Sequence, residues 1–326
     1  MGNKLNQSNF CIVTDSDELN EGLFGQVFLF IFEILPYLYE ANLKPNWNIK
    51  AKHYGTKQDN LVIPGVLDLA YKPQPSNKNT PLSKLRKKHC YALGNDWYKL
   101  NQIWNSYFVI PARIKEQADK LGSFKNVLGI HYRGTDKLTA AWDTNAVSYS
   151  DYLAIIRDFH SKRPELTRIF LATDDNQFLP FLRKHVSLEI INLGNVHFHK
   201  DMEVKHHEKA ERALLDCLLL SRCGAVLKNS SALSGFSKIL NPNLEIYRCA
   251  ASKLFRDIPY FPVAYIPPYK TDNQEVQAII NKLMSDDWAE SSSPAETLFA
   301  YSPRQKNKTI KQQFLEPIKK LLFLKQ

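Results

Sequence analysis

The stretch that most constrains this chain is Val127-Leu128-Gly129-Ile130-His131-Tyr132-Arg133-Gly134-Thr135-Asp136-Lys137. An apolar segment climbs to His131 and then meets charge and a glycine. A buried parallel strand ends in this way when its carboxyl end opens into a ligand site. Alternation along a strand sets His131 and Arg133 on one face. Gly134 permits a sharp turn, from which Asp136 and Lys137 project. The planar fork of arginine donates two parallel charge-assisted hydrogen bonds, which suits a phosphate. A lone Arg-Gly reads as a solvated strand end, whereas His, Arg, Asp and Lys at one terminus read as a binding site.

From this strand onward the pattern alternates regularly. Residues 149–159 read as an amphipathic helix with Ser150 as its cap, and 168–172 as a strand. The polar turn Thr173-Asp174-Asp175-Asn176 leads to a helix ending near His185. Strands at 188–191, 225–227 and 244–247 then alternate with helices at 208–222 and 234–240. Such alternation implies right-handed crossovers and a parallel, Rossmann-like sheet. Three strand ends carry polar groups: His131 and Arg133, Asp174 and Asp175, and Asn229 with Ser230 and Ser231. All fall on one carboxyl edge, where such sheets bind ligands. Ser230 and Ser231 precede a helix, so capping and phosphate contact are both open to them.

The first third repeats the strand, loop and helix order. Residues 11–14 form a strand, a loop holds Gly22, Gly25 and Gln26, and an apolar helix spans about 27–39. Backbone N–H groups and the helix dipole make this arrangement an anion-binding device, although a tight turn uses glycines in the same way. Farther on, 61–63 and 66–71 read as strands around Pro64-Gly65. Residues 72–88 read as a surface loop whose basic cluster (Lys84, Arg86, Lys87, Lys88) is a solvated face, and 101–121 as helical with a restart at Pro111. A boundary near Ser123 separates an N-terminal α/β domain (1–123) from a Rossmann-like domain (124–270). A helical segment and basic tail (271–326) follow.

Composition narrows the function. A length of 326 residues with 44% hydrophobic and 23% charged content fits a soluble globular protein with a sizeable core. The net charge of +10 favours acidic partners: nucleic acid, sugar nucleotides or an anionic membrane surface. Against nucleic acid, the basic residues are dispersed and no aromatic-flanked basic motif appears. The polar N-terminus predicts no secretory signal, and Asn6 stands where myristoylation after Gly2 needs Ser or Thr. The apolar run 27–35 is interrupted by Glu33 and stopped by Pro36, which reads as too short for a bilayer. Cys11, Cys90, Cys217, Cys223 and Cys249 show no C-x-x-C spacing. They read as buried thiols in a reducing, cytoplasmic setting. His197, His199, His206 and His207 lack a cysteine partner and read as a solvated loop rather than a zinc site. The tail 304–326 pairs many lysines with Leu315, Ile318, Leu321, Leu322 and Leu324. It either lies on anionic lipid, making the protein membrane-peripheral, or packs as a terminal helix.

The segment His131-Tyr132-Arg133-Gly134-Thr135-Asp136-Lys137 also resembles the H-x-R-x-x-D-K signature of the α1,6-fucosyltransferases. That family includes the N-glycan core and bacterial nodulation fucosyltransferases and is distantly related to the protein O-fucosyltransferases. Gly22, Gly25 and Gln26 are similar to its glycine loop. Ile169 through Asp175 is similar to its A-T-D-D block, and Asp216, Leu218-Leu219-Leu220-Ser221 and Ser230-Ser231 are similar to its third block. The resemblance implies two Rossmann-like domains facing across a cleft (GT-B-like), with the acceptor side in 1–123 and the GDP-sugar in 124–270. It implies inverting transfer of fucose from GDP-fucose to a glycan hydroxyl, with an α1,6-type linkage and neither cofactor nor metal. On this resemblance Arg133 holds the diphosphate, Asp216 reads guanine, and Ser230 and Ser231 support the phosphates. Lys137 and Asp136 stand beside Arg133 as catalytic candidates, and Gly22, Gly25, His131, Asp174 and Asp175 complete the nucleotide-sugar site. Gly134 stands where many relatives carry a second arginine, which shifts phosphate neutralisation toward Lys137. Ala141 stands where several carry a glutamate, which leaves the general base unassigned. Two alternatives remain: another nucleotide-sugar donor, or a non-enzymatic nucleic-acid or anion binder.

Overall fold

The computed structural model describes residues 10–14, 22–56, 59–89, 96–134, 147–194, 205–229 and 231–249. Strand β1 (Cys11–Val13) is followed by a π-helical turn (Leu23–Phe28) that runs directly into α1 (Leu29–Glu40). Next come β2 (Asn46–Lys50), β3 (Leu61–Ile63), β4 (Asp68–Leu69), β5 (Asn79–Pro81) and α2 (Leu82–His89). Helix α3 (Trp97–Asn105), β6 (Phe108–Val109) and α4 (Ala112–Asp119) complete the first part. Its sheet has the order β3-β2-β1-β5, with β1 parallel to both β2 and β5 and only β3 antiparallel.

The second part contains β7 (Val127–Tyr132), α5 (Tyr149–Lys162), β8 (Arg168–Thr173), α6 (Phe178–His185) and β9 (Glu189–Ile191). It continues with α7 (His206–Arg222), β10 (Ala225–Lys228), α8 (Ala232–Leu240) and β11 (Glu245–Arg248). The five strands lie in the order β11-β10-β7-β8-β9, and every pair is parallel. The molecule is therefore mixed α/β, with parallel pairing in both large sheets. In the second sheet the chain moves outward from β7 through β8 to β9, then returns to lay β10 on the other side of β7. The crevice of such a sheet opens at this reversal.

Burial explains why β7 is central. All six of its residues are buried, and they serve two cores. Leu128, Ile130 and Tyr132 pack with Tyr152, Ile156 and Phe178, while Val127 joins a larger core that takes in Leu220, Phe236, Trp104 and Ile12. Helix α8 ties this second core to the first part of the chain. Phe236 lies between Phe24 (5.6 Å), Phe28 (5.6 Å), Phe32 (5.9 Å) and Trp104 (4.8 Å), and Asn101 Nδ2 donates to Ile239 O at 2.8 Å. An element held from both sides gives its N-terminus a fixed position.

Several sequence expectations require correction. Pro36 does not cut short the apolar segment: in line with the helix expected over about 27–39, α1 passes through it to Glu40, and burial of Ile34, Leu35 and Leu38 compensates for the missing hydrogen bond. Leu23–Glu40 therefore reaches 18 residues, long and apolar enough to match a membrane span, with 65% of that window buried inside the fold. Residues 72–88 are not simply a loop, since they include β5 and most of α2. Arg86 is not a solvated charge. Its Nε donates to Glu33 Oε2 at 2.6 Å, its guanidinium lies over the Phe30 ring, and the Glu33 side chain is 3% exposed. A buried carboxylate needs such a cation, and nothing local to residues 72–88 announces it. Strand β6 interrupts the helix expected over 101–121, and Ser148 rather than Ser150 caps α5, accepting from Asp151 N at 3.1 Å. Asp136, Lys137, Ala141, His197, His199, Ser230 and everything from 250 onward lie outside the described residues.

Candidate functional site

The site begins with register. In the sheet Lys228 lies opposite His131, and on the other side His131 lies opposite Ala172. The carboxyl ends of β10, β7 and β8 therefore finish at one level, at the reversal of strand order. Where β7 and β10 part, the buried Tyr152 hydroxyl donates to both strands, to Leu227 O at 3.0 Å and His131 O at 3.3 Å. The His131 ring turns toward α8, its Nδ1 2.7 Å from Ser234 Oγ. Burial, then Arg133, then Lys228 push its pKa down to about 3, so His131 is a neutral imidazole and brings no charge to the site.

Beyond β7 the backbone is tied in two directions. Arg133 N donates to Asn229 Oδ1 at 3.0 Å, and Asn229 Nδ2 returns a bond to Arg133 O at 2.9 Å. This reciprocal pair continues the β7–β10 ladder one step past the strands. On the other side Gly134 N donates to Asp174 Oδ1 at 2.8 Å, while Asp174 Oδ2 lies 3.1 Å from Arg133 Nε. One carboxylate thus holds both the turn and the guanidinium, which remains 26% exposed. Asp175 is held in turn by the Tyr149 hydroxyl at 2.6 Å and by Gln177 N at 2.9 Å. A Cβ at position 134 would lie 2.4 Å from Tyr132 Cε1 and 2.6 Å from Asp175 Oδ2. Glycine is required there by space, and a second arginine has no room.

The N-terminus of α8 supplies the third side. Ser231 occupies the N-cap with extended dihedrals, yet its hydroxyl makes no capping bond. That Oγ is buried and has no hydrogen-bond partner among the described residues. Gly25 in the π-helical turn packs beside it, its Cβ position 3.8 Å from Ala232 Cβ, and Gly22 opens the same turn. Asp216 lies on α7, where its Oδ1 pairs with Arg212 Nε at 2.9 Å and Arg212 also donates to Leu193 O. Burial raises the Asp216 pKa and the arginine opposes the shift. The adjacent Cys217 thiol donates to Leu233 O, so this level of α7 faces the first turn of α8.

No family model matches this chain, and no curated protein matches it. Among solved structures it is similar to the NodZ α1,6-fucosyltransferase soaked with GDP-fucose. Identity is 14% over 74% of this chain and 95% of that one, with a TM-score of 0.43. It is also similar to POFUT1 in complex with GDP, at 11% identity over 75% and 99% of the two chains and a TM-score of 0.47. A third is the E. coli ADP-heptose LPS heptosyltransferase II, at 9% identity over 84% and 97% and a TM-score of 0.39.

Of the residues singled out in the sequence, His131, Arg133, Asp174, Asp175 and Ser231 lie at the ends of β7 and β8 and the start of α8, with Gly25 packed against Ala232, while nothing lies within 4 Å of the Cβ position of Gly22. Asp216 lies on α7 in an ion pair with Arg212. Asp174 and Asp175 spend their oxygens on the protein, so their visible work is positioning. Sequence reasoning overlooked Lys228, Ser234 and Tyr149. For Lys228 a signal existed: a lysine closes the apolar run Ala225-Val226-Leu227, with no polar alternation to place it outside. Among the described residues no group of three or more His, Cys, Asp or Glu side chains is arranged to hold a metal.

Proposed function

We propose that this protein is an inverting glycosyltransferase that moves a sugar from a GDP-sugar to a glycan hydroxyl. The signature around Arg133 points to fucose and an α1,6-type linkage. One observation carries the reading. Arg133 is tethered on two sides by Asp174 and Asn229 and stands at the sheet reversal, across from the α8 N-terminus, whose buried Ser231 hydroxyl has no partner among the described residues. A preorganised guanidinium and helix amides at a sheet crevice suit a diphosphate.

In the proposed reaction the acceptor hydroxyl attacks the anomeric carbon as the bond to the β-phosphate oxygen breaks. The hydroxyl proton passes to a base or solvent, and GDP departs. The barrier lies largely in charge growing on that phosphate oxygen, and Arg133, Lys137 and the α8 amides oppose it without a metal or other cofactor. Asp136 is the further catalytic candidate beside Arg133 and Lys137 in the signature, and Ser230 and Ser231 support the phosphates. Gly22 and Gly25 let the N-terminal part approach the donor, and His131 positions α8 through Ser234. Asp216 accepts from guanine N1–H and the exocyclic amine, a pattern adenine and uracil cannot offer. Acceptor contacts fall to residues 1–123. We assign the protein to the cytoplasm, where the basic tail 304–326 is open to contact with anionic lipid or to packing as a terminal helix.

Thermal-shift measurements with GDP, UDP, ADP and CMP test the reading. Selective stabilisation by GDP is expected, since binding to the folded state raises the melting temperature by mass action. A preference for UDP removes the guanine assignment, and no response to any nucleotide removes the donor site. Transfer of fucose from GDP-fucose to glycan acceptors then tests the sugar and the linkage.

A further inference from the structure

Arg212 and Asp216 stand one turn apart on α7, a spacing that contributes little on a solvated helix face. Here the two side chains are only 17% and 14% exposed, and the neighbouring Leu214, Leu215, Cys217 and Leu218 are buried. Charges withdrawn from water are costly unless each finds its complement. Arg212 finds two acceptors. Its Nε donates to Asp216 Oδ1 at 2.9 Å, and its Nη1 donates at 2.8 Å to Leu193 O, two residues past the end of β9. Asn192 Nδ2 donates to Leu171 O at 3.0 Å and fixes that segment to β8. Asp216 is only half satisfied: among the described residues its Oδ2 accepts no hydrogen bond. One residue on, the Cys217 thiol donates to Leu233 O in the first turn of α8. The carboxylate is therefore set between the carboxyl end of β9 and the start of α8, on the edge of the sheet that carries Arg133. Such a group, with one oxygen held and one uncommitted, is a fixed acceptor for a donor brought by a ligand. Protonation would spoil it, because a neutral carboxyl is itself a donor on one oxygen. Burial raises the Asp216 pKa and Arg212 opposes the rise, while burial keeps the Cys217 thiol neutral. From α4, Arg113 is taken up by Glu211, and α8 and the segment after β9 meet this level with the carbonyls of Leu233 and Leu193.

We propose that Arg212 is a positioning residue for base recognition, which aims the Asp216 carboxylate at the base and, through Leu193 O, fixes the end of β9 as the wall beside it. The assignment rests on the reading of Asp216 as the group that meets guanine, and it adds the residue on which that specificity depends. Two donors on one purine edge, N1–H and the exocyclic amine, call for a carboxylate that stays charged and does not turn. A planar guanidinium, charged throughout the working pH range, can hold that carboxylate and a backbone carbonyl at once, which the single ammonium of a lysine does less well.

Calorimetric titration of the full chain with GDP and with inosine diphosphate, which lacks the exocyclic amine, tests this between about pH 6 and 8.5. The chains compared are the parent, Arg212→Met, Asp216→Asn and the double variant. At the acid end Arg212→Met should bind GDP roughly tenfold to a hundredfold more weakly than the parent, and its preference for GDP over inosine diphosphate should fall with it. The loss relative to the parent should shrink as pH rises, because the unpaired carboxyl takes up a proton at low pH and releases it at high pH. Phosphate ionisation is common to both chains and cancels in the ratio. In the Asp216→Asn background the same change should cost roughly tenfold less than in the parent, since no carboxylate remains to be held. Arg212→Lys should return the pH dependence to that of the parent and recover part of the affinity. If Arg212→Met weakens GDP equally at every pH and in both backgrounds, Arg212 is a structural brace, the proposal is overturned and the nucleotide reading stands. If the parent binds GDP and Asp216→Asn binds it as tightly and as selectively, the guanine assignment of Asp216 fails and the role of Arg212 with it. A parent that binds neither nucleotide refutes the nucleotide reading itself. Should Arg212→Met not fold, Arg212→Gln decides, since it can still donate to the carboxylate but brings no charge. An affinity ratio to the parent that is the same at every pH then overturns the proposal.

Discussion

Replacing Gly134 by alanine adds one methyl group at the tightest point of the site. The new Cβ would lie 2.4 Å from Tyr132 Cε1, 2.6 Å from Asp175 Oδ2 and 3.1 Å from Asp175 Cβ, where ordinary contact begins at 3.4 Å. Roughly 1 Å must therefore open, well inside the repulsive wall. Neither neighbour yields easily. The Tyr132 ring stacks on Phe178 at 3.9 Å and its hydroxyl donates to Val147 O, while Asp175 is held by Tyr149 and Gln177. Overpacking costs about 1–3 kcal/mol, and breaking a hydrogen bond to a charged group adds about 1.5–3 kcal/mol. The stiffer unfolded chain returns about 0.4–1 kcal/mol. The net expectation is about 3 kcal/mol of lost stability, together with weaker GDP binding because Asp175 and the Arg133 turn move together. Urea unfolding, followed by tryptophan fluorescence and near-ultraviolet circular dichroism, reads the first quantity. Gly22→Ala is the control, since nothing lies within 4 Å of its Cβ position, and it should change stability by about 0.5 kcal/mol or less. Should Gly134→Ala match that control and bind GDP normally, the packing account of this turn is refuted.

Arg133→Ala should reduce the transfer rate about a hundredfold while weakening GDP less. Arg133→Lys should restore little, because a point charge cannot reproduce the two-pronged contact; unimpaired turnover in Arg133→Ala would remove the catalytic assignment. For His131 the folded pKa near 3 lies below its ordinary 6.5, so the unfolded chain binds the extra proton between those values. Its stabilising contribution is complete above pH 6.5 and declines as pH falls toward 3, by at most about 1.4 kcal/mol per unit. His131→Asn should flatten the difference in unfolding free energy between pH 6.5 and 4.5, and parallel curves for parent and variant would count against a neutral buried ring. Arg86→Ala strands the buried Glu33 and should cost about 3 kcal/mol. The double change Glu33→Gln with Arg86→Met should recover most of that loss in denaturant midpoint, and equal losses in both would discount the ion pair.

The second sheet was legible in the sequence because its signals are local. An apolar run such as 127–132, flanked by helical periods on one side and polar turns on the other, can be satisfied by little except a buried parallel strand. Once strands and helices alternate, chirality puts every strand end on one edge, and with it His131, Arg133, Asp174 and Ser231. What each of those residues does there was decided only by the packed chain. Asp174 and Asp175 look like ligands in the sequence, but in the fold their oxygens hold Gly134, Arg133, Tyr149 and Gln177. Gly134 looks like a flexible turn, but it is a space limit set by a tyrosine two positions back and an aspartate from the next strand. Arg86 finds Glu33 across 53 residues, and Phe236 enters an aromatic cluster more than a hundred residues upstream. Lys228 reads as the polar end of a short strand until register sets it beside His131 and burial removes its water. Periodicity encodes which face of an element is buried, because that depends on the nearest few residues. The identity of the group met on that face depends on how elements cross, and that is settled only when the whole core closes.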